Sequence, residues 1–541
     1  MKIHFKNKLP SMWADGKHQN GLYNNPEMVL PMCLTTKDSE LGVFLHDLNN
    51  AVHEERRLVF IDDKVLVCYL NWIRDHVHMM KAFKHWEYDL KSFLDFILQT
   101  QRADGQYYEL IKQTDDEHWK FVNEDCYIKY PKDNVVLIRL ELEADIEYLV
   151  VEGAMQYYRV TGDTVWIEKM LPKLEKGIDY ITSDEKRFDR EHGLIKRPFT
   201  IDTWDFTDSP ESDRDRRIAK DEKMSIMHGD NSGVYQAMRF LAFFNRLLGN
   251  ENKAVEWERR AQQIKVNMDK YLWNGKFYIH QLHLNHAGLD DKENIRLSLS
   301  NPYDINRGVT EQRQSESIIQ EYIERRRTTK GLAEWFSIDP PYNSFQRYKS
   351  GEYVNGAVSP FAAGELAKAA FDNGYEEYGY DIIKRFIAIL KRDQKIFFLY
   401  SPNGSPQGRG PSGWGAASLL NAVDEGLAGI VDVDHKYKEI FFSPKFVVTE
   451  YTELRYITGY ERSKVFVDMR FILTEKGMRY DLYSKIEKIR AHILLPKNKT
   501  CKEVYVNNEK TDFTCKKIRF SNYVDFFTIG KNVTSIEIFF V

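Results

Sequence analysis

The sequence predicts a closed ring of helical hairpins followed by a β-sandwich. Three observations carry that reading. Apolar residues recur with a helical period from about residue 60 to about 435. The period changes to two from about residue 436 to the end. Long polar loops bearing aromatic residues alternate with short connections through the helical part, so one rim of the ring should carry the loops. A chain of 541 residues with 43% hydrophobic content can bury cores for both parts, and its length allows two to four domains.

Residues 1–60 have no clear period, and are expected to contribute strands packed on one of the two domains. The ring is expected over 61–435. Tyr88, Phe93, Phe96 and Ile97 fall on one helical face, as do Ile146, Leu149, Val150 and Met155. Val234, Ala237, Leu241, Phe244 and Leu248 make a further stripe that ends at Gly249-Asn250, a helix stop. Helices are also expected over 254–272, 360–371, 378–390 and 414–427, with turn signals at Gly162-Asp163, Asn274-Gly275 and Asn373-Gly374. The loops at about 100–140, 185–230, 275–310, 335–357 and 395–413 would form the rim. Over 436–541, short alternating runs at 439–442, 447–450, 464–473, 478–485, 503–506, 516–520 and 534–541 predict the sandwich. A brace, a carbohydrate module and a dimer contact are all open roles for it, so a homo-oligomer stays among the expectations.

A net charge of −4 gives no electrostatic reason to expect nucleic acid or an anionic membrane as partner. Five scattered cysteines form no CxxC or Cys/His cluster, so neither zinc nor a disulfide scaffold is expected, and no other metal or organic cofactor is implied. The start at Met1 has no apolar leader and no long apolar run follows, which points to a cytoplasmic protein.

The most informative stretch is Thr200-Ile201-Asp202-Thr203-Trp204-Asp205-Phe206-Thr207-Asp208. An indole packs on the apolar face of a pyranose, and its bulk keeps a neighbouring carboxyl partly dry. A drier carboxyl can hold a proton at neutral pH and donate it to a leaving oxygen. Asp205 adjoins Trp204 directly, whereas Asp202 and Asp208 compete less well for that role. The second informative stretch is Asn71-Trp72-Ile73-Arg74-Asp75. There an arginine can fix a neighbouring carboxylate in a bidentate pair, leaving that carboxylate free to accept bonds from two vicinal hydroxyls. Glu143, Asp145 and Glu147 read as helical, and as a rim or salt-bridge set.

Trp72-Ile73-Arg74-Asp75 resembles the Trp-x-Arg-Asp signature of glucoamylase-type glycosidases with an (α/α)6 barrel. The run from Gln99–Gln101 to Asp104-Gly105 resembles the turn that follows it. Thr203-Trp204-Asp205 resembles the family's Trp-acid motif, Tyr353-Val354-Asn355-Gly356 its Tyr-x-Asn-Gly loop, and Gly413-Trp414 the start of its last barrel helix. These motifs run in the family's order across 60–435. The resemblance implies that Asp205 is the proton donor and that Arg74 and Asp75 grip the terminal sugar. It also implies sugar stacking by Trp72, Trp204 and Trp414, with Asp202, Trp335, Tyr353 and Asn355 as further substrate-binding candidates.

One departure stands out. The family commonly places a glutamate, its general base, shortly before the last helix, and here Leu399 holds that place. Glu352 is the preferred substitute, with Glu334 beside Trp335 second and Glu425 read as structural. The implied function is exo-acting hydrolysis of a terminal sugar from an oligosaccharide or glycoside, an α-glucoside first. Inversion would need two carboxylates ~6.5–9.5 Å apart. Two rivals remain: a phosphorylase, for which Arg409 and Ser412 are thin phosphate candidates, and a sugar-binding protein without turnover.

Overall fold

A computed structural model describes residues 40–115 and 124–541. Thirteen α-helices lie among the described residues. They are α1 (Glu40–His53), α2 (Ile73–Phe83), α3 (Ser92–Gln99), α4 (Ile146–Thr161), α5 (Thr164–Ile181), α6 (Pro210–Asp215), α7 (His228–Leu247), α8 (Glu251–Tyr271), α9 (Ser300–Asn306), α10 (Gln312–Thr328), α11 (Pro360–Asp372), α12 (Glu376–Asp393) and α13 (Gly413–Asn421). Helices α2, α4, α7, α9, α11 and α13 each touch the next, and α13 returns to α2, closing an inner ring of six. Helices α1, α3, α5, α8, α10 and α12 stand outside them.

Composition explains which helix goes where. Inner helices are buried around most of their circumference. Between α11 and α13 small residues permit close approach: a Cβ on Gly364 would come within 2.4 Å of the Ser418 backbone. Outer helices bury one stripe only; α8 buries Ala254, Trp257, Ala261, Ile264 and Met268, at spacings of three and four, against α7. The rim ends of two inner helices are capped by serine hydroxyls, Ser359 accepting from Ala362 N and Ser412 from Gly415 N. At the opposite end Gly162 takes a left-handed C-cap after α4, and Asp163 caps α5 by accepting from Trp166 N.

Two boundaries differ from the sequence reading. The ring takes in α1, so it begins by residue 40 and not at 61; of the strands expected in 1–60, Arg56–Ile61 is present, paired with Lys64–Tyr69, and residues 1–39 lie outside the described ones. The first sandwich strand is Ile430–Asp432, ahead of 436. The sandwich has a five-stranded and a six-stranded sheet, antiparallel except where Glu439–Phe442 runs parallel to Lys488–Leu494. The expected strand at 447–450 is absent; Phe446–Val448 forms a 3-10 turn. Tyr456, Phe471, Tyr480 and Ile538 face Ile440, Phe442 and Ile489 in its core. The sandwich is anchored on the ring by Tyr456, which donates to Asp424 at 2.9 Å, and by Lys445, which pairs with Asp372 at 3.2 Å. No helix among the described residues is long and apolar enough to cross a membrane.

Candidate active site

The rim loops enclose a pocket of about 130 Å³ lined by Trp72, Arg74, Asp75, Trp204, Asp205, Tyr353 and Trp414, with Thr203, Leu299, Phe361 and Phe398 completing the wall. A wider cavity of about 860 Å³ adjoins it, shares Trp72, Asp75, Tyr353 and Phe398, and carries Arg409 on its wall. A small chamber behind a larger vestibule suits one sugar ring with more of a substrate outside.

The loop carrying Asp205 is held from several sides. Phe199, Ile201 and Phe206 are buried with Ile338, Tyr342, Phe345 and Val354 in a small core of their own. These residues anchor the loop; Trp204 packs against the edge of that core while lining the pocket, and Asp205 lines the pocket beside it. Asp202 sits at φ 49° and pins the bend, its carboxylate accepting from Thr203 N at 2.8 Å and Ser300 N at 3.1 Å. Arg216 donates to the Asp205 carbonyl at 2.9 Å, and buried Arg197 donates to the Trp204 carbonyl. Asp205 itself is half-buried.

Arg74 lies in the first turn of α2. Its bidentate partner is Asp145, not the adjacent Asp75: Nε and Nη2 reach Asp145 at 2.5 and 2.8 Å, and Nη2 also donates to Glu143. Helix α4 starts at Ile146, so Glu143 and Asp145 precede it and only Glu147 belongs to it. Burial alone would raise the Asp145 pKa, but Arg74 outweighs it and holds the carboxyl low. Burial pushes Glu143 well up even against Arg74.

Asp75 faces the pocket with Arg409 at 3.7 Å. Burial pushes its pKa up, Arg409 and Arg74 pull it back, and Asp205 adds to the rise. The same Arg409 guanidinium reaches Glu55 at 3.3 Å. Glu55 follows α1, is buried, and packs on Gly413, the first residue of α13; a Cβ there would meet Glu55 Cγ at 2.8 Å. Burial raises its pKa, opposed by Arg409 and Arg57 and assisted by Asp75. The sequence reading missed Glu55: no motif marks a lone glutamate after an unassigned helix.

Trp414 is stacked on both faces, by His78 (centroids 4.2 Å apart, 9°) and Phe361 (4.6 Å, 21°). It offers the pocket an edge, and its indole N–H goes to Tyr303 at 3.1 Å. Trp72, Trp204 and Tyr353 are the other large aromatic side chains on the pocket wall besides the phenylalanines.

Four expected site residues do not reach the pocket. Glu352 is exposed, and its carboxylate accepts from Lys349 N at 2.9 Å inside its own turn. Its neighbour Tyr353, at φ 48°, points the opposite way and lines the pocket. Trp335 is fully buried between Phe386 (5.0 Å) and Arg385 (4.3 Å). Asn355 ties the loop, accepting from Tyr342 N at 2.9 Å and donating to Tyr342 O at 3.0 Å. Asp202 pins the acid loop, as above. The second base candidate, Glu334, is held by Arg385 at 2.8 Å and by Tyr378. Among the described residues no group of three or more His, Cys, Asp or Glu could hold a metal ion.

Residues 199–339, which include the acid loop, match the model of the Trehalase family. The chain superposes on α-L-rhamnosidase from Dictyoglumus thermophilum (TM-score 0.58, 10% identity, 94% of this chain and 50% of that one). It also superposes on Streptomyces avermitilis α-L-rhamnosidase complexed with L-rhamnose (TM-score 0.56, 13% identity, 94% and 42%). A GH63 mannosylglycerate hydrolase from Thermus thermophilus, in complex with glucose, matches with TM-score 0.50 and 15% identity over 70% of this chain and 99% of its own. The fold is that of the six-hairpin glycosidases. The chain spans half or less of the rhamnosidase chains it matches, and no curated protein sequence matches it. At these identities the rhamnosidases bear on the fold alone. The six-hairpin glycosidase fold accounts for the pocket's place at the rim, where long loops meet over the inner ring.

Proposed function

We propose that this chain is an exo-acting glycoside hydrolase that removes a terminal sugar with inversion. The observation that carries the reading is the joint lining of one small pocket by Trp204, Asp205, Arg74 and Asp75. Asp205 protonates the glycosidic oxygen. Arg74, kept charged and oriented by Asp145 and Glu143, holds the sugar together with Asp75, and Trp72 and Trp204 cover its apolar faces.

Glu55 supplies the carboxylate that activates water. Leu399 leaves no acid in the segment before α13, yet Glu55 comes from the far end of the ring sequence to lie against the first residue of that helix. The guanidinium of Arg409 bridges Glu55 and Asp75 and opposes the rise that burial imposes on both carboxyls. An α-glucoside is the first substrate to try, and the Trehalase match over 199–339 supports that choice.

A second reading, phosphorolysis, draws on Arg409 at the vestibule wall and on Leu399. One experiment addresses both: a panel of aryl glycosides and α-linked disaccharides, with and without phosphate, with the product anomer followed by NMR. Phosphate-independent release of the inverted sugar, lost in Asp205→Asn, supports hydrolysis. A sugar phosphate as product selects phosphorolysis, and release untouched by Asp205→Asn refutes the acid assignment.

A further inference from the structure

The bore of the ring is divided into two chambers. Trp414, between His78 and Phe361 and hydrogen-bonded to Tyr303, forms a floor beneath the sugar pocket. Below it lies a second cavity of about 440 Å³, lined from all six inner helices and closed on one side by Val431 and Val433 of the sandwich. Tyr303 belongs to the floor and to this lower wall alike.

The lower chamber is polar, and its charges do not cancel. Lys81 pairs with Glu365, and Lys368 stands 3.9 Å from Glu425, which Lys84 also reaches at 3.0 Å. Arg159, Arg239 and Arg307 remain, against Glu152. Among the described residues no carboxylate lies within 4.0 Å of these three guanidinium groups. Arg307 is the most telling: it is only 9% exposed and donates to neutral groups, Gly229 O at 2.8 Å and the Ser232 hydroxyl at 3.0 Å. Arg239 donates to the Tyr235 hydroxyl at 3.3 Å and is exposed at the mouth, and half-buried Arg159 lies beside the Phe240 ring. Arg307, the buried one, has the rings of Tyr148 and Tyr303 beside it and the charges of Glu152 and Asp304 only at longer range, and three guanidinium forks around one cavity match the oxygens of a phosphate. The side-chain amides of Gln156 and Gln236 add further polar groups on the same wall.

We infer that the lower chamber binds a small phosphate-bearing molecule, at a site separate from the sugar pocket and in contact with both domains. The phosphate lies among Arg159, Arg239 and Arg307, and the Val431 and Val433 side bounds whatever the phosphate carries. Ligand there presses on Tyr303, and through it on Trp414, so occupancy can reach the sugar pocket.

The test is isothermal titration of the full chain with inorganic phosphate and, separately, with glucose 6-phosphate. The expected result is saturable binding of one ligand per chain. Arg239→Ala and Arg159→Ala should each weaken it by at least about tenfold, the loss of one charge-assisted hydrogen bond. Arg409→Ala should leave it unchanged. Both side chains reach solvent, and a melting curve for each variant guards against loss of fold. Binding of both probes would mean that the phosphate group suffices, and binding of glucose 6-phosphate alone would identify a phosphorylated sugar as ligand. The inference is overturned if neither probe binds up to millimolar concentration. It is equally overturned if binding disappears in Arg409→Ala but survives in Arg239→Ala and Arg159→Ala, since that would place the anion in the vestibule.

Discussion

Two rim loops carry the same local pattern and put it to opposite use. In the loop at 200–208 an acid follows a tryptophan, and in the loop at 351–356 an acid precedes a tyrosine. In the first, Ile201 and Phe206 are sunk in a small core and arginines hold the intervening carbonyls, so Trp204 and Asp205 face the pocket together. In the second, the turn closes on itself through Lys349 and Asn355, so Tyr353 faces in and Glu352 faces out. An acid beside an aromatic is therefore not a site signal by itself. What decides is which member of the pair the loop's own anchors leave free.

The widest gap between the loops should appear on removing their acids. Asp205→Asn is expected to lower kcat by about 10²–10⁴-fold, the usual worth of a general acid, with folding intact; initial rates on an unactivated glycoside check this. A loss confined to KM would break the comparison. Glu55→Gln should cost a similar factor, and added azide should restore turnover with a glycosyl azide of inverted configuration as product. Absence of the azide adduct would refute Glu55 as the water-activating carboxylate.

The pH profile is a finer probe. Burial raises the pKa of both Glu55 and Asp75 above the ordinary carboxylate range. A base must be ionised, so kcat/KM should fall as pH drops through those raised values, at higher pH than an exposed carboxylate would give. Arg409→Ala removes the positive charge that opposes the rise in both groups and should move that acid limb further up; a downward move would refute the bridging role. Smaller still, Trp204→Phe should raise KM by a factor of a few, through loss of about 1 kcal/mol of ring contact. Glu352→Gln should change neither kcat nor KM measurably, and a tenfold loss of kcat would reverse the reading of its loop.

Much of the architecture was legible. The stripe from Val234 to Leu248 lies on an inner helix, the switch to period two announces the sandwich, and the Trp72–Asp75 and Thr203–Asp205 motifs reach one pocket. Helix α1 was not legible, because a 14-residue helix beside an unassigned N-terminal stretch has no partner to betray it until the ring closes. The partnership of Arg74 with Asp145 was also hidden, since 71 positions separate them and the adjacent Asp75 is the obvious local choice.

Periodicity and short motifs are local properties, so the chain by itself points to most of the ring helices, a change of fold class near residue 436, and the candidate acid beside Trp204. The second carboxylate is a different kind of quantity. Glu352 is turned outward by one turn, Trp335 is buried against Phe386, and the proposal of Glu55 draws on the contact that ring closure makes between α1 and α13. Those facts depend on which distant segments meet. No residue pattern along the chain encodes that meeting, because it follows from packing twelve helices around one axis.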